Sequence, residues 1–224
     1  MDRLWDEHDE EAEGRVVLAP GAVLLRRALG PGAQRALVAD CREWARPPAG
    51  LRVVRMPNGA EMSARQIGLG WHWVPYRYSR TTEDGTPVKA FPPALGEQAV
   101  ALAATADPDR QWWDASAYRP DVGLVNHYPD GARMGLHQDK DERSLAPVVS
   151  ISLGDTAAFR LGGTEHRRGP FHDVVLRSGD VVVFGGPARL AYHGILRVEP
   201  GTAPAGLGLD QGRLNVTVRE SGLG

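Results

Sequence analysis

The sequence predicts a mostly β domain with flanking helices, and two observations carry this prediction. After Pro120 the chain divides into seven short β-rich segments separated by turns rich in glycine, proline and aspartate. Apolar residues at helical spacing occur only in the N-terminal half. A chain of 224 residues, 42% of them hydrophobic, can form one such domain with a substantial core. Seven short strands at this spacing are typical of a sandwich, a jelly roll or a barrel.

The N-terminal half begins with an acidic segment, residues 1–14, which we expect to be a flexible arm. The next segment, Val16–Leu25, is β-rich and is interrupted by Pro20-Gly21. Apolar positions at helical spacing then predict a helix from Pro31 to Arg46 and a second from about Pro93 to Ala106. We expect residues 15–224 to form a single domain in which the helices cover one face of the β-structure.

The stretch from Pro47 to Lys89 lies between the helices and is rich in proline, glycine, arginine and aromatic residues. Turn signals at Pro57-Asn58-Gly59 and Asp84-Gly85 predict hairpins or irregular structure. Long exposed segments of this kind commonly carry recognition. From Arg42 to Lys89, eight basic residues stand against four acidic ones and alternate with tryptophan and tyrosine. This mixture suits a single-stranded nucleic acid, and a solvated rim with buried aromatic residues is the alternative.

The C-terminal half supplies the strands. Each candidate is a short β-rich run bounded by a turn signal. In chain order the candidates are Val122–His127, Val148–Leu153, Ala157–Leu161, Val174–Leu176, Asp180–Phe184, Tyr192–Val198 and Leu214–Arg219.

Composition narrows the class of protein. The net charge of -2 argues weakly against a nucleic-acid partner, but residues 1–20 hold seven of the 28 acidic and two of the 26 basic residues. The rest of the chain therefore carries 21 acidic against 24 basic residues.

A single cysteine, Cys41, excludes an internal disulfide framework and a thiolate metal cluster. The acidic N-terminus is unlike a secretory signal, and no apolar run is long enough for a membrane span, so we expect a cytoplasmic protein.

The segment NHYPDGARMGLHQDKDE, residues 126–142, contains a candidate metal site. His137 and Asp139 are two residues apart, so on an extended chain both side chains lie on the same face. His193, in the later run YHGI, is the candidate third ligand. Two imidazoles and one carboxylate on one face of an octahedron are the ligand set of non-haem Fe(II) oxygenases. Two polar residues on a surface strand are the alternative for the His-x-Asp pair.

Two arginines of the last predicted strand, Arg213 and Arg219, are expected to point to one face because they are six residues apart. Buried cations need a partner. A keto acid with two carboxylates, such as 2-oxoglutarate, could bind a metal at one end and a guanidinium at the other. The alternative for each arginine is an ion pair with Asp or Glu, or an exposed edge. The histidines outside the candidate metal site are interpreted as surface or satisfied polar residues.

Four segments together resemble the AlkB family of Fe(II)- and 2-oxoglutarate-dependent dioxygenases, which repair alkylated nucleic-acid bases. They are the segment 126–142 quoted above, PVVSISLG, GDVVVFGGPARLAYHGI and RLNVTVRE. The likeness continues upstream through PGAVLLRR, MPNGAEMS, GLGW and PYRYS. It covers nearly everything after the acidic arm and is to the bacterial type of the family.

The resemblance implies a double-stranded β-helix (jelly-roll) core at about residues 120–220 and an N-terminal nucleotide-recognition lid at about residues 47–92. It implies Fe(II) as the metal, with 2-oxoglutarate and O₂ as co-substrates. The implied roles divide into three sets. The metal ligands are His137, Asp139 and His193; the 2-oxoglutarate residues are Asn126, Tyr128, Arg213, Asn215 and Arg219; the substrate-binding residues are Met62, Trp71, Tyr76, Lys140, Asp141, Glu142 and His166. Arg167 and Arg168 remain alternatives to His166 for one substrate contact.

The implied partners are alkylated DNA, single- or double-stranded, and RNA. The chain is expected to be a monomer and not to bind a membrane. The expected reaction is oxidative removal of the alkyl group from 1-methyladenine and 3-methylcytosine. Two other functions are kept open. One is a dioxygenase of the same chemistry that acts on a small molecule or a peptide. The other is a non-catalytic metal-binding jelly roll that serves as a sensor.

Overall fold

A computed structural model describes residues 14–224. The acidic arm lies outside these residues except for Gly14, which begins the first strand. Two α-helices are described, Pro31–Trp44 (α1) and Pro93–Ala106 (α2). The strands are Gly14–Ala19 (β1), Ala22–Arg26 (β2), Arg52–Arg55 (β3), Glu61–Leu69 (β4), His72–Val74 (β5), Arg77–Ser79 (β6), Val122–Tyr128 (β7), Met134–His137 (β8), Val148–Gly154 (β9), Thr156–Leu161 (β10), His172–Leu176 (β11), Val181–Phe184 (β12), His193–Glu199 (β13) and Arg213–Arg219 (β14).

Two facing antiparallel sheets form the core, which confirms the prediction of a mostly β fold with a jelly-roll core. The larger sheet has eight strands in the order β1-β2-β12-β9-β14-β7-β4-β3, and the smaller has the order β11-β10-β13-β8. Both predicted helices are present, and all seven predicted strands are found within one or two residues of their expected ends. None of the helices within residues 14–224 has the length and apolar character needed to cross a membrane.

Successive side chains on each strand of the larger sheet point to opposite faces, so its apolar residues belong to two separate hydrophobic clusters. On β14, Leu214, Val216 and Val218 belong to a cluster that also contains apolar residues of α1 and α2, so the helices cover the outer face of this sheet. A second cluster, with Val182 and Phe159 among its members, fills the space between the sheets. The remaining β14 residues therefore face the inter-sheet space, where polar side chains need partners.

The stretch between the helices consists of hairpins, as predicted. Strands β3 and β4 extend the larger sheet, because β4 pairs with β7. The turn between β3 and β4 is stabilised by Asn58, whose Oδ1 accepts a hydrogen bond from the Ala60 amide at 3.1 Å, and by Gly59 at a φ of 82°. Strands β5 and β6 form a separate two-stranded hairpin. This hairpin and the β3–β4 hairpin together are called the lid hairpins below.

Cys41 should be unreactive in the folded protein. Its side chain is 2% exposed on the buried face of α1, and burial raises the pKa of the thiol to about 12. The nucleophilic thiolate is therefore scarce at neutral pH. We expect an aromatic disulfide reagent at pH 8 to modify no thiol until denaturant is added. Rapid modification of the native protein would contradict the burial of α1 against the sheet.

Candidate metal and co-substrate site

One cavity of about 410 Å³ opens between the two sheets, beneath the lid hairpins. Both sheets contribute to its walls: β8 and β13 from the smaller sheet, and β7 and β14 from the larger one. The inner face of β14 contributes four polar residues at alternate positions, Arg213, Asn215, Thr217 and Arg219. A cavity walled by apolar side chains and a few converging polar groups is the usual form of a small-molecule site.

Strand pairing brings the three candidate metal ligands together. His193 begins β13 and pairs with His137 at the end of β8, while Asp139 follows β8 by two residues. The candidate ligand atoms of the three side chains all lie within 4.8 Å of one another. The two Asp139 oxygens are each 3.7 Å from one histidine Nε2. Three side chains that are distant in sequence therefore converge on one point of the cavity.

Backbone carbonyls orient both imidazoles. Nδ1 of His137 lies 3.0 Å from the Gly135 carbonyl, and Nδ1 of His193 lies 3.0 Å from the Ala191 carbonyl. Because a carbonyl can only accept, each Nδ1 carries a proton, and Nε2 is the ring atom of each histidine that can bind a metal.

The protonation states of His193 and Asp139 also suit the binding of a metal cation. Burial and the neighbouring His137 lower the pKa of His193 to about 4. Burial raises the pKa of Asp139, but Arg219 and the two histidines outweigh it and lower that pKa to about 2. At neutral pH the site therefore presents neutral imidazole and ionised carboxylate. This donor set, with room for further ligands in the cavity, fits a non-haem Fe(II) facial triad.

Arg213 is a buried cation without a carboxylate partner in the part of the chain that the structure describes. The residue is 1% exposed, and its Nη2 donates to Ser152 Oγ at 3.0 Å. Its Nε and Nη1 have no hydrogen-bond partner, and the guanidinium carbon lies 5.1 Å from the centre of the Tyr128 ring. Burial lowers the pKa of Arg213. Two unpaired donors on a buried cation fit the carboxylate of a bound anion.

Arg219 has a different environment, because carboxylates of the chain itself pair with it. Its guanidinium forms ion pairs of 2.8 Å with Asp139 and with Glu142, and it donates to the Tyr78 hydroxyl at 3.1 Å. Burial lowers the pKa of Arg219, but Asp139, Tyr78 and Glu142 outweigh it and raise that pKa. The ion-pair alternative therefore holds for Arg219, which still lines the cavity.

Asn126 and Asn215 lie side by side on the paired strands β7 and β14. They belong to a longer set of hydrogen-bonded polar side chains on the cavity face, which we call the amide row: Gln66, Asn126, Asn215, Thr217 and Ser150. Sequence reasoning missed Gln66, Thr217 and Ser150. The signal that could have found them is the alternation of polar and apolar residues on β4, β9 and β14.

Four of the predicted substrate-binding residues, Met62, Tyr76, Lys140 and Asp141, line the cavity. Trp71 does not. Its indole donates to Asp121 at 2.9 Å and lies beneath the Arg80 guanidinium at 3.6 Å, which holds the ring outside the cavity. Trp73 takes the position at the wall, with its indole donating to Asp141 at 2.8 Å.

Glu142 and His166 are also outside the cavity. The Glu142 side chain is fully buried and accepts hydrogen bonds from Tyr78 at 2.5 Å and Arg189 at 3.0 Å, in addition to the Arg219 pair. Glu142 therefore supports the Asp139 loop and does not line the cavity. His166 is exposed and lies 3.2 Å from the Arg168 carbonyl. Its neighbour Arg167 lines the cavity and lies over the Tyr192 ring at 5.7 Å.

Comparison with known proteins gives concordant findings. The family model of the 2OG-Fe(II) oxygenase superfamily matches residues 21–219. The chain is 41% identical to an alpha-ketoglutarate-dependent dioxygenase AlkB homolog of Caulobacter vibrioides, over 92% of this chain and 90% of that protein. It is 38% identical to the alpha-ketoglutarate-dependent dioxygenase AlkB of Escherichia coli, over 92% of each. The solved structure of OsALKBH1 is 34% identical, with a TM-score of 0.82 over 92% of this chain and 99% of that one.

Proposed function

Because the chain belongs to the AlkB family within the 2OG-Fe(II) oxygenase superfamily, we propose that it repairs nucleic acids by oxidative dealkylation. The substrates we assign are 1-methyladenine and 3-methylcytosine, in single-stranded DNA before duplex DNA, and in RNA. The observation that carries the proposal is the convergence of a His-Asp-His metal triad and an unpaired buried arginine on one cavity. We further infer that the protein acts as a monomer in the cytoplasm.

His137, Asp139 and His193 would hold Fe(II). Arg213 and Tyr128 would hold the far carboxylate of 2-oxoglutarate, because the two free donors of Arg213 need an anion. Asn126 would lie beside them, and the metal-chelating end of the co-substrate would be supported by Asn215 and Arg219 of the cavity wall. Fe(II), 2-oxoglutarate and O₂ together supply the oxidant when bound, and the residues of the chain orient the reactants.

The charge of the lesion explains the carboxylate at the cavity mouth. Methylation at a Watson–Crick ring nitrogen makes adenine or cytosine cationic, so Asp141 would favour the damaged base over a neutral one. Trp73 fixes Asp141 through its indole and offers an aromatic face beside it, which also attracts a cation. Tyr76, 66% exposed at the rim, and Lys140 would contact the strand that carries the base. Met62 supplies an apolar wall.

The enclosed position of the triad decides how substrate must arrive. A base inside a duplex cannot reach a cavity between two sheets, so it must be turned out of the stack or presented on a single strand. Lost Watson–Crick pairing makes this cheaper for the methylated base. Oxidation of the N-methyl group to N-hydroxymethyl consumes O₂ and converts 2-oxoglutarate to succinate and CO₂. The N-hydroxymethyl group then leaves as formaldehyde, and the ring nitrogen returns to its native state.

The test is formaldehyde release from single-stranded oligonucleotides that carry one 1-methyladenine or one 3-methylcytosine. We expect release that requires iron, 2-oxoglutarate and O₂, is suppressed by a chelator, and is slower on duplexes. Binding of the oligonucleotide should weaken steeply with salt because phosphate contacts release counterions. Intact methylated base after incubation with iron-loaded protein would refute the proposal. A small-molecule or peptide substrate would instead predict no salt-dependent binding of DNA.

A further inference from the structure

The donor and acceptor atoms of the amide row can be assigned one after another, and the assignment begins at a backbone carbonyl. Asn215 Nδ2 lies 3.2 Å from the Ile151 carbonyl oxygen and 2.7 Å from Ser150 Oγ. A carbonyl oxygen can only accept, so this atom of Asn215 is the NH₂ group and the other side-chain atom is the oxygen. That oxygen accepts from the Thr217 hydroxyl at 2.9 Å. The orientation of the Asn215 amide is therefore fixed.

The same assignment of donors and acceptors extends across the sheet to Gln66. Asn126 Nδ2 donates to Asn215 Oδ1 at 3.5 Å, the longest link of the row, which leaves Asn126 Oδ1 as an acceptor. Gln66 Nε2 donates to that oxygen at 3.1 Å. Gln66 must then present its Oε1 elsewhere. This oxygen is buried without a hydrogen-bond partner among the residues that the structure describes, and the residue is 4% exposed on the cavity wall.

An unpartnered buried acceptor calls for a donor, and the proposed occupants of the cavity differ in what they can donate. The carboxylates and keto group of 2-oxoglutarate only accept hydrogen bonds, and O₂ donates none. The exocyclic amine of adenine or cytosine is the one donor group that the proposed reactants bring beside the methylated nitrogen. Gln66 is the end of the amide row and shares its face of β4 with Met62, which belongs to the apolar wall assigned to the base.

We propose that Gln66 is a specificity-determining residue whose Oε1 accepts a hydrogen bond from the exocyclic amine of the flipped methylated base. This rests on the proposed dealkylation function. Bases with an amine at that position, 1-methyladenine and 3-methylcytosine, satisfy the acceptor. Their counterparts 1-methylguanine and 3-methylthymine place a carbonyl oxygen there and leave two acceptors facing each other. A site that leaves its buried polar group unpaired discriminates strongly against the wrong ligand.

The test compares matched lesions in one oligonucleotide sequence with the full-length protein and its Gln66→Met variant. We expect wild type to prefer 1-methyladenine over 1-methylguanine and 3-methylcytosine over 3-methylthymine in kcat/KM. In Gln66→Met we expect kcat/KM to fall about 10-fold or more for the two amine-bearing lesions and little for the two carbonyl-bearing ones. Both preference ratios therefore fall. Unchanged ratios in the variant would overturn the proposal, since a bound water would then satisfy Oε1.

Two further variants separate specificity from folding and from co-substrate binding. Gln66→Glu keeps an oxygen acceptor at the same place but loses the Nε2 donor to Asn126. Its ratios should stay at or above those of wild type, and loss of preference with an unchanged KM for 2-oxoglutarate would also overturn the proposal. Gln34→Met removes another buried glutamine amide, on α1 and outside the cavity, and should leave the ratios unchanged. The KM for 2-oxoglutarate shows whether Asn126 has shifted, which would alter all four lesions alike. Wild-type protein inactive on every lesion would instead refute the dealkylation function itself.

Discussion

Replacing Asp139 by alanine is expected to abolish formaldehyde release from methylated oligonucleotides. The carboxylate lies 3.7 Å from Nε2 of each candidate histidine ligand, so its loss leaves two imidazole ligands and an open position where a carboxylate stood. Changes to residues that only support a metal ligand typically cost 10- to 100-fold in metal affinity. We expect the loss of a direct ligand to exceed about 100-fold. Equilibrium dialysis against Fe(II) without O₂ measures this directly.

The Asp139→Ala variant should still fold, because Arg219 keeps its 2.8 Å ion pair with Glu142 when its pair with Asp139 is lost. Circular dichroism and thermal unfolding check this point. Asp173→Ala is the matched control: Asp173 pairs with Arg160 on the smaller sheet and lies outside the cavity, so activity should be unchanged. An Asp139→Ala protein that binds iron as wild type does and releases formaldehyde would show that the triad is not the metal site.

The metal triad and Arg213 could be predicted from sequence because strand periodicity decides them. Two-residue spacing placed His137 and Asp139 on one face, and alternation on β14 placed Arg213 on the face opposite the helices. The contribution of His193 depends on a pairing between β8 and β13, which the turn-rich sequence permits but does not specify. The sequence offered His193 only as a candidate, and the family resemblance implied it as the third ligand. Local pattern therefore predicted the side of the sheet, whereas the strands that meet are seen only in the folded chain.

The lid residues were less predictable because tertiary partners decide which aromatic side chain faces the cavity. Trp71 and Trp73 are two residues apart and equally aromatic. Trp71 is held outside the cavity by a hydrogen bond to Asp121, 50 residues later in the chain, and by the stacked Arg80. Trp73 is fixed instead by Asp141 from the metal-ligand loop.

Buried ion pairs also could not be predicted from the local sequence, because their partners come from distant segments. In the sequence Glu142 is one of several acidic residues near the metal ligands. Only folding brings Arg189 and Arg219 into contact with it. A buried carboxylate between two guanidinium groups is a support for the loop, since binding a ligand instead would break its ion pairs with Arg189 and Arg219. The choice between His166 and Arg167 likewise depended on loop geometry that no periodicity governs.

Substituting Arg213 by methionine is expected to stabilise the ligand-free protein while it abolishes co-substrate binding. Two donors of the buried guanidinium are unpaired, and such groups cost about 1–3 kcal/mol each when left without partners. Methionine removes both donors at similar length but also loses the hydrogen bond to Ser152, which offsets part of the gain, so the free energy of unfolding should rise by about 1–3 kcal/mol in net terms. The KM for 2-oxoglutarate should rise by at least about 30-fold, since truncating one partner of a buried charge pair costs about 2–5 kcal/mol.

Arg189→Met provides the matched contrast, because Arg189 is equally buried but pairs with Glu142 at 3.0 Å. Breaking a buried pair leaves the remaining charge uncompensated, so this variant should lose about 3–5 kcal/mol of unfolding free energy. Thermal unfolding with and without 2-oxoglutarate and Fe(II), under exclusion of O₂, measures both effects. Wild type should gain stability from 2-oxoglutarate by mass action, and Arg213→Met should gain none from it. If Arg213→Met is destabilised and still responds to 2-oxoglutarate, Arg213 is a structural residue and the co-substrate binds elsewhere in the cavity.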